Sequence, residues 1–321
     1  MNESSEKASS ARLLPSFGSL LAGLSIVIAT IPLALFVFSL LGRYFFFAEL
    51  VGNFRCQIMV TLIPFAILFL GVRRWWFGAL TLIALAWSMT GIVWVCLPVN
   101  QPPQGPKPMK VMSFNLLVQN QQHAEVIRRI VTEDPDVVTI LEYASHWHEA
   151  LAALDEQYPY SVKQPRWHGF GMAIFSKHPL TDTQVVNLTE QKTDNPMIVT
   201  KVNFGEQIIR VVGVHTLSPT NRFRLDIRNR QFVEIGDALL AEATPTVVMG
   251  DFNCTPWSPF LSDFLKRTGY RDSRQGFGYQ PSWPSMYQLL RIPIDHAFVS
   301  CLLYTSPSPR DRTRSRMPSS A

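Results

Sequence analysis

Cysteine is scarce, with four in 321 residues. Cys56 and Cys96 lie in or beside apolar runs, Cys254 stands alone in a region of mixed composition, and Cys301 belongs to the C-terminal tail. No metal-ligand spacing and no disulfide framework is present, which is compatible with either redox compartment. Net charge is also small, +5 at neutral pH. It is not gathered into one nucleic-acid-binding patch, and several of the positive charges fall in the tail, so charge says little about partners. Internal repeats are absent. From Phe17 to Leu97 the chain is almost uncharged and rich in Leu, Ile, Val, Phe and Ala.

What fills that stretch is three apolar runs, Phe17–Leu41, Cys56–Val72 and Trp76–Leu97. At ~1.5 Å per residue each is long enough to cross a hydrocarbon layer of ~30 Å. A membrane helix tolerates Pro32 and Pro64, and Trp75, Trp76 and Trp94 fit an interfacial belt. A cleaved signal peptide is disfavoured because the first run is too long and two more follow. Three such runs also disfavour a buried soluble hairpin. Lys7, Arg12, Arg73 and Arg74 would share one side of the bilayer, Arg43 and Arg55 the other. The positive-inside rule then predicts a multi-pass protein of the cytoplasmic membrane with its following domain extracytoplasmic.

Five regions are expected: an N-terminal cytoplasmic tail over 1–16, three transmembrane helices over 17–97, a proline-rich linker over 98–108, a folded domain over 109–300 and a tail over 301–321. In the domain, strands are predicted over Met109–Phe114, Asp136–Leu141, Gly169–Ser176, Ile198–Asn203, Ile208–His215, Thr246–Met249 and Ile294–Ser300. Helices are predicted over His123–Val131, His146–Gln157, Asn221–Ala241 and Pro259–Thr268. Some strands alternate with helices and others form hairpins, which points to an α/β sandwich of two sheets flanked by helices.

Polar residues recur where the strands end: Asn115, Glu142, His215, Asp251 with Asn253, and Asp295. The run Val247–Asn253 is the sharpest case. Three apolar residues and Gly250 lead into Asp251 and Asn253, which share a face of an extended backbone across Phe252. A carboxylate there can orient or deprotonate a nucleophile, and a carboxamide can donate to a phosphoryl oxygen. Taken singly, each has a structural reading. Gly-Asp-x-Asn is ordinary turn composition, Asn115 a turn cap, Glu142 a helix-leading charge, His215 a core histidine and Asp295 half of a surface pair.

Taken in order, Ser113-Phe114-Asn115, Ile140-Leu141-Glu142, Gly171–Ser176, Val214-His215-Thr216, Gly250-Asp251-Phe252-Asn253 and Ile294-Asp295-His296 resemble the endonuclease/exonuclease/phosphatase superfamily, the DNase I-like metal-dependent phosphoesterases. With the apolar N-terminal part, the chain is similar to its membrane-anchored bacterial branch. The resemblance implies a four-layer α/β sandwich. It implies Mg²⁺, with Mn²⁺ as the other candidate, held by Glu142 with Asn115 in the same metal and phosphate cluster. It implies phosphoryl contacts from His215 and Asn253, water activation by Asp251, and an orienting role for Asp295 toward a later histidine.

Two departures stand out. Many relatives carry an acidic residue where this chain has Leu117, which predicts a simpler metal site with more water ligands. The closing Ser-Asp-His motif is not found after the Asp295 strand, and His296, adjacent on that strand, should point to the opposite face. Cys301–Asp311 instead reads as the translation of a transposase sequencing adapter, so 301–321 is expected to be non-native and the chain as written inactive or nearly so. The partners expected are a lipid bilayer and a phosphoester substrate, with a lipid-linked phosphate favoured and no obligate protein partner. The alternatives are a membrane-tethered nuclease, weakly supported by Arg222, Arg224, Arg228 and Arg230, and a non-catalytic membrane protein that binds phosphorylated ligands. Trp167, Trp257 and Trp283 are read as cleft-lining or buried.

Overall fold

The computed structural model describes residues 17–97, 108–189 and 193–300. The expected N-terminal tail, nearly all of the proline-rich linker and the 301–321 segment lie outside them.

Four helices come first: α1 (Phe17–Ser39), α2 (Phe46–Gly52), α3 (Arg55–Gly71) and α4 (Trp75–Cys96). The three apolar runs correspond to α1, α3 and α4. Among the described residues only α4 is long and apolar enough alone to cross a membrane. The pair α2 and α3 passes only if taken together, and it is bent by 68°. Of the three expected spans, the described residues show one by this measure, or two counting the bent pair. The short helix α2 went unpredicted because Glu49 and Asn53 interrupt the apolar pattern there.

The rest is α/β. Its strands are β1 (Val111–Asn115), β2 (Val137–Leu141), β3 (Tyr160–Gln164), β4 (Met172–Ser176), β5 (Leu180–Leu188), β6 (Asn195–Phe204), β7 (Gln207–His215), β8 (Thr246–Asp251), β9 (Arg271–Asp272) and β10 (Asp295–Val299). Its helices are α5 (His123–Glu133), α6 (Ser145–Ala150), α7 (Arg222–Leu240) and α8 (Pro259–Thr268). One sheet has the order β1-β2-β4-β3 and the other β5-β6-β7-β8-β10-β9.

Strand alternation sorts the core into three slabs. Val138 and Ile140 of β2 face Val126, Ile130 and Trp147 of α5 and α6. Val137 and Leu141 face the other way, against Val211, Val247, Met249 and Val299 of the second sheet. Val212, Val248 and Phe298 then face Phe232 and Ile235 of α7 and Phe264 of α8. The result is helices, sheet, sheet, helices: the four-layer sandwich. Gly250 lets β7 and β8 approach. Its φ is +148°, and a Cβ there would lie 1.8 Å from the Val214 carbonyl oxygen. The strand runs on through Gly250 to Asp251.

The helical part and the sandwich touch along one side. Arg43 forms a bidentate pair with Asp263 of α8, at 2.7 and 3.0 Å. Gln57 Nε2 donates to the carbonyls of Leu289 and Arg291. At the end of α4, the Val95 carbonyl accepts from the backbone N–H groups of Gly276 and Gly278.

Candidate functional site

Register places the candidate residues at one end of the two sheets. His215 pairs with Asp251 across the parallel β7–β8 ladder. Asp251 pairs with Asp295 across the antiparallel β8–β10 ladder. The three form a row over adjacent strands. Residues 211, 247, 249 and 299 point between the sheets, so period-two alternation puts His215, Asp251 and Asp295 on that inner face. Asn115 ends β1 two pleats beyond Val111, which packs against the same slab.

Hydrogen bonds tie the ends together. Asn115 Nδ2 donates to Asp251 Oδ2 at 3.2 Å, and Asp251 Oδ1 accepts the Asn253 backbone N–H at 2.8 Å. His215 Nε2 lies 3.9 Å from Asp251 Oδ2. Asn253 reaches the site by an unexpected route. Its φ is +47°, so it has left the extended strand, and the Asp251–Asn253 contact is an Asx turn rather than strand alternation. Its Nδ2 donates to the Thr216 carbonyl at 2.8 Å. Glu142 also has a left-handed backbone, φ +56°, and its Oε2 accepts the Val118 N–H at 2.9 Å. Leu117, with φ +59°, donates its N–H to Asn115 Oδ1. Three non-glycine residues in this sparsely populated region sit together at the strand ends, where over-determined backbones commonly serve a site.

Electrostatics mark the cluster further. Burial raises the Asp251 carboxyl well above its ordinary value, and the neighbouring Asp295 charge adds to this; hydrogen bonds from Asn253 and Asn115 oppose it, and Glu142 raises it again. Asp295 is only half-buried as a residue, yet the protein around its carboxyl raises its pKa too. The Ser282 hydroxyl and the Arg274 charge act against that rise, while Glu142 reinforces it. Burial pushes His215 down to about 4, with the Gly169 backbone opposing. Its Nδ1 is buried without a hydrogen-bond partner.

These groups fit a hard divalent cation. Three carboxylates whose charges oppose one another's ionisation, beside a carboxamide, are the oxygen donors such an ion prefers. Among the described residues no three Asp, Glu, His or Cys side chains enclose a metal position by themselves.

His296 lies on the outer face, as the alternation predicted. Its Nδ1 accepts from Arg274 at 2.6 Å and its Nε2 donates to the Cys254 carbonyl at 2.7 Å. It is a satisfied core histidine. Of the arginines weighed as a nucleic-acid surface, Arg222 and Arg230 are exposed and Arg224 partly so, but Arg228 is fully buried. Trp167 and Trp283 are exposed rather than buried, and Trp257 is half-buried against Tyr279. Thr216 lay within a quoted motif segment but was given no role; sequence reasoning missed Ser282 and Phe170, whose ring lies 5.0 Å from that of His215 and which carry no local signal.

No curated protein sequence matches the chain. Among solved structures, it is similar to a β-hairpin deletion mutant of beta toxin from Staphylococcus aureus, with 18% identity, 62% of this chain and 89% of that one covered, and a TM-score of 0.50. It is also similar to TDP2 of D. rerio complexed with a single-strand DNA product, with 14% identity, coverage of 60% and 83%, and a TM-score of 0.51. These likenesses concern the fold. A family model, by contrast, matches residues 112–311, well over half of the chain. By that match the chain belongs to the endonuclease/exonuclease/phosphatase family.

Proposed function

We propose that this chain is a divalent-metal-dependent phosphoester hydrolase held at the cytoplasmic membrane by α1, α3 and α4, acting on a lipid-linked phosphoester outside the cytoplasm. The observation that carries the reading is the inner-face row His215–Asp251–Asp295, joined to Asn115 by the Asp251 hydrogen bond. Asp251 orients the attacking water and takes its proton, a role its raised pKa favours. His215, neutral at physiological pH, offers a ring nitrogen to a phosphoryl oxygen. Asn253 has one amide N–H committed to Thr216 and a second for the same phosphoryl group. Glu142 and Asn115 would hold Mg²⁺, or Mn²⁺, which would neutralise charge on the phosphate. The Asp295 charge adds to burial in raising the Asp251 pKa.

A lipid-linked substrate is favoured by what surrounds the helical part. The segment bonded to Gln57 at the start of α3 exposes Met286, Tyr287 and Leu289, with Leu289 89% exposed. Such apolar side chains beside the apolar helices suit a bilayer surface. Burial of Arg228 removes one of the four arginines that favoured nucleic acid.

Since 301–321 is expected to be non-native, the test is hydrolysis in liposomes with Mg²⁺ by the protein carrying the genomic sequence after Ser300, offering a lipid-embedded phosphodiester, single-stranded DNA and bis(4-nitrophenyl) phosphate. Metal-dependent cleavage of the lipid substrate, abolished by EDTA and restored by Mg²⁺ or Mn²⁺, is expected. Cleavage of DNA in preference would make the chain a nuclease. Phosphate binding with no turnover of any substrate would make it a binding protein.

A further inference from the structure

Glu49 is the single acidic residue between Phe17 and Leu97, and it is buried. A carboxylate in such a place needs partners, and all of its partners come from the sandwich. Its Oε1 accepts from Arg228 Nη2 at 2.9 Å and from the Ser258 hydroxyl at 2.7 Å. One turn on, Asn53 Oδ1 accepts from the Thr255 hydroxyl at 3.0 Å. Arg228, fully buried over the rings of Phe232 and Phe260, extends Nη1 to 3.5 Å from the Asn253 carbonyl oxygen.

A docking contact between two parts of a chain can fall anywhere on the surface. Here every hydrogen bond from α2 and its C-terminal neighbour Asn53 to the sandwich reaches the 253–258 segment, either directly or through Arg228. That segment begins at Asn253, whose left-handed backbone must be held by its surroundings. We propose that Glu49 is a positioning residue: with Asn53 it fixes the 253–258 backbone and so aims the Asn253 carboxamide. The apolar helical part then belongs to the catalytic unit and is more than a tether. The proposal rests on the hydrolase reading above, in which Asn253 binds the phosphoryl group.

The test uses that same protein, with the genomic sequence after Ser300, in phospholipid nanodiscs, with amide hydrogen exchange and Mg²⁺-dependent hydrolysis of bis(4-nitrophenyl) phosphate as readouts. Glu49→Gln is expected to speed exchange at 252–258 at least about tenfold while β7 and β8 keep theirs, and to lower kcat about tenfold with KM within about twofold. Glu49→Asp should recover part of both. Wild-type exchange and kcat in Glu49→Gln would overturn the proposal. So would faster exchange spread evenly over the sandwich, the mark of a contact that only stabilises. Should Glu49→Gln fail to fold, Ser258→Ala and Thr255→Val decide: faster exchange confined to 252–258 supports the proposal, and no change overturns it. Asn253→Ala keeps the two readings apart. If it hydrolyses at the wild-type rate, the role of Asn253 falls, and with it the proposed aim.

Discussion

On the outer face of the six-stranded sheet, His296, Arg274 and Asp272 satisfy one another. Both ring nitrogens of His296 have partners, and Arg274 Nε donates to Asp272 Oδ1 at 3.0 Å. Burial acts to raise the Asp272 pKa, but the Arg274 charge and hydrogen bonds overcome it and hold the group below its ordinary value. On the inner face of the same sheet, His215 keeps a buried nitrogen without a partner, and Asp251 sits among other carboxylates that resist its ionisation. Residue types are nearly the same on both faces. The difference lies in whether the polar groups complete one another, as in a structural network, or require something further. Asp295 and His296 are adjacent in sequence, yet strand alternation assigns them to the two different clusters.

The largest effect should come from breaking the satisfied face. Arg274→Met leaves Asp272 buried and unpaired, and chemical denaturation should show a loss of about 3–5 kcal/mol. Hydrolysis per folded molecule should fall far less than in His215→Gln, since Arg274 reaches the inner face only through its charge on Asp295. Exchanging the two histidines sharpens the contrast. His215→Gln should lower kcat about 100-fold while stability stays within about 1 kcal/mol. His296→Leu should lower kcat far less than His215→Gln and cost about 1–3 kcal/mol, because the Cys254 carbonyl and an Arg274 N–H lose their partner. Steady-state kinetics beside urea unfolding reads both.

A further contrast is in pH. Folded His215 and His296 titrate near about 4 and about 3, against 6.5 for the ordinary side chain. Below pH 6.5 the unfolded chain takes up protons that the folded chain does not, so stability present above 6.5 is lost as the pH falls. By pH 5 the loss is about 2 kcal/mol per histidine. Urea midpoints at pH 7.5 and pH 5 measure it, and His296→Leu should remove about half of this histidine-linked difference. Equal pH dependence in both proteins would mean that His296 is not held neutral.

Much of the sandwich was legible because its central strands are buried and bounded by motif residues. β2, β4, β7, β8 and β10 were all anticipated, as was α8 to the residue. The edge strands β3, β5 and β9 were not. β5 is exposed over most of its length and carries an irregularity between Thr181 and Gln184, so it shows no apolar alternation. At the site, the strand-end residues were readable as a set, but the Asx turn at Asn253 and the left-handed backbones of Leu117 and Glu142 were not, since none is glycine. Arg228 was read only as weak support for a nuclease. Its partner, Glu49, is 179 residues away, a distance over which local pattern carries no information.

The central claim is that the inner-face cluster is built for a ligand rather than for stability. Asp251→Asn tests it most directly, with thermal unfolding and Mg²⁺-dependent hydrolysis measured on the same sample. The substitution keeps the side chain's shape and removes a charge that burial opposes. The account predicts a Tm at or above that of the unsubstituted chain and a fall in kcat of at least about 10³-fold. A Tm well below it, with activity lost only in proportion to the unfolded fraction, would contradict the account.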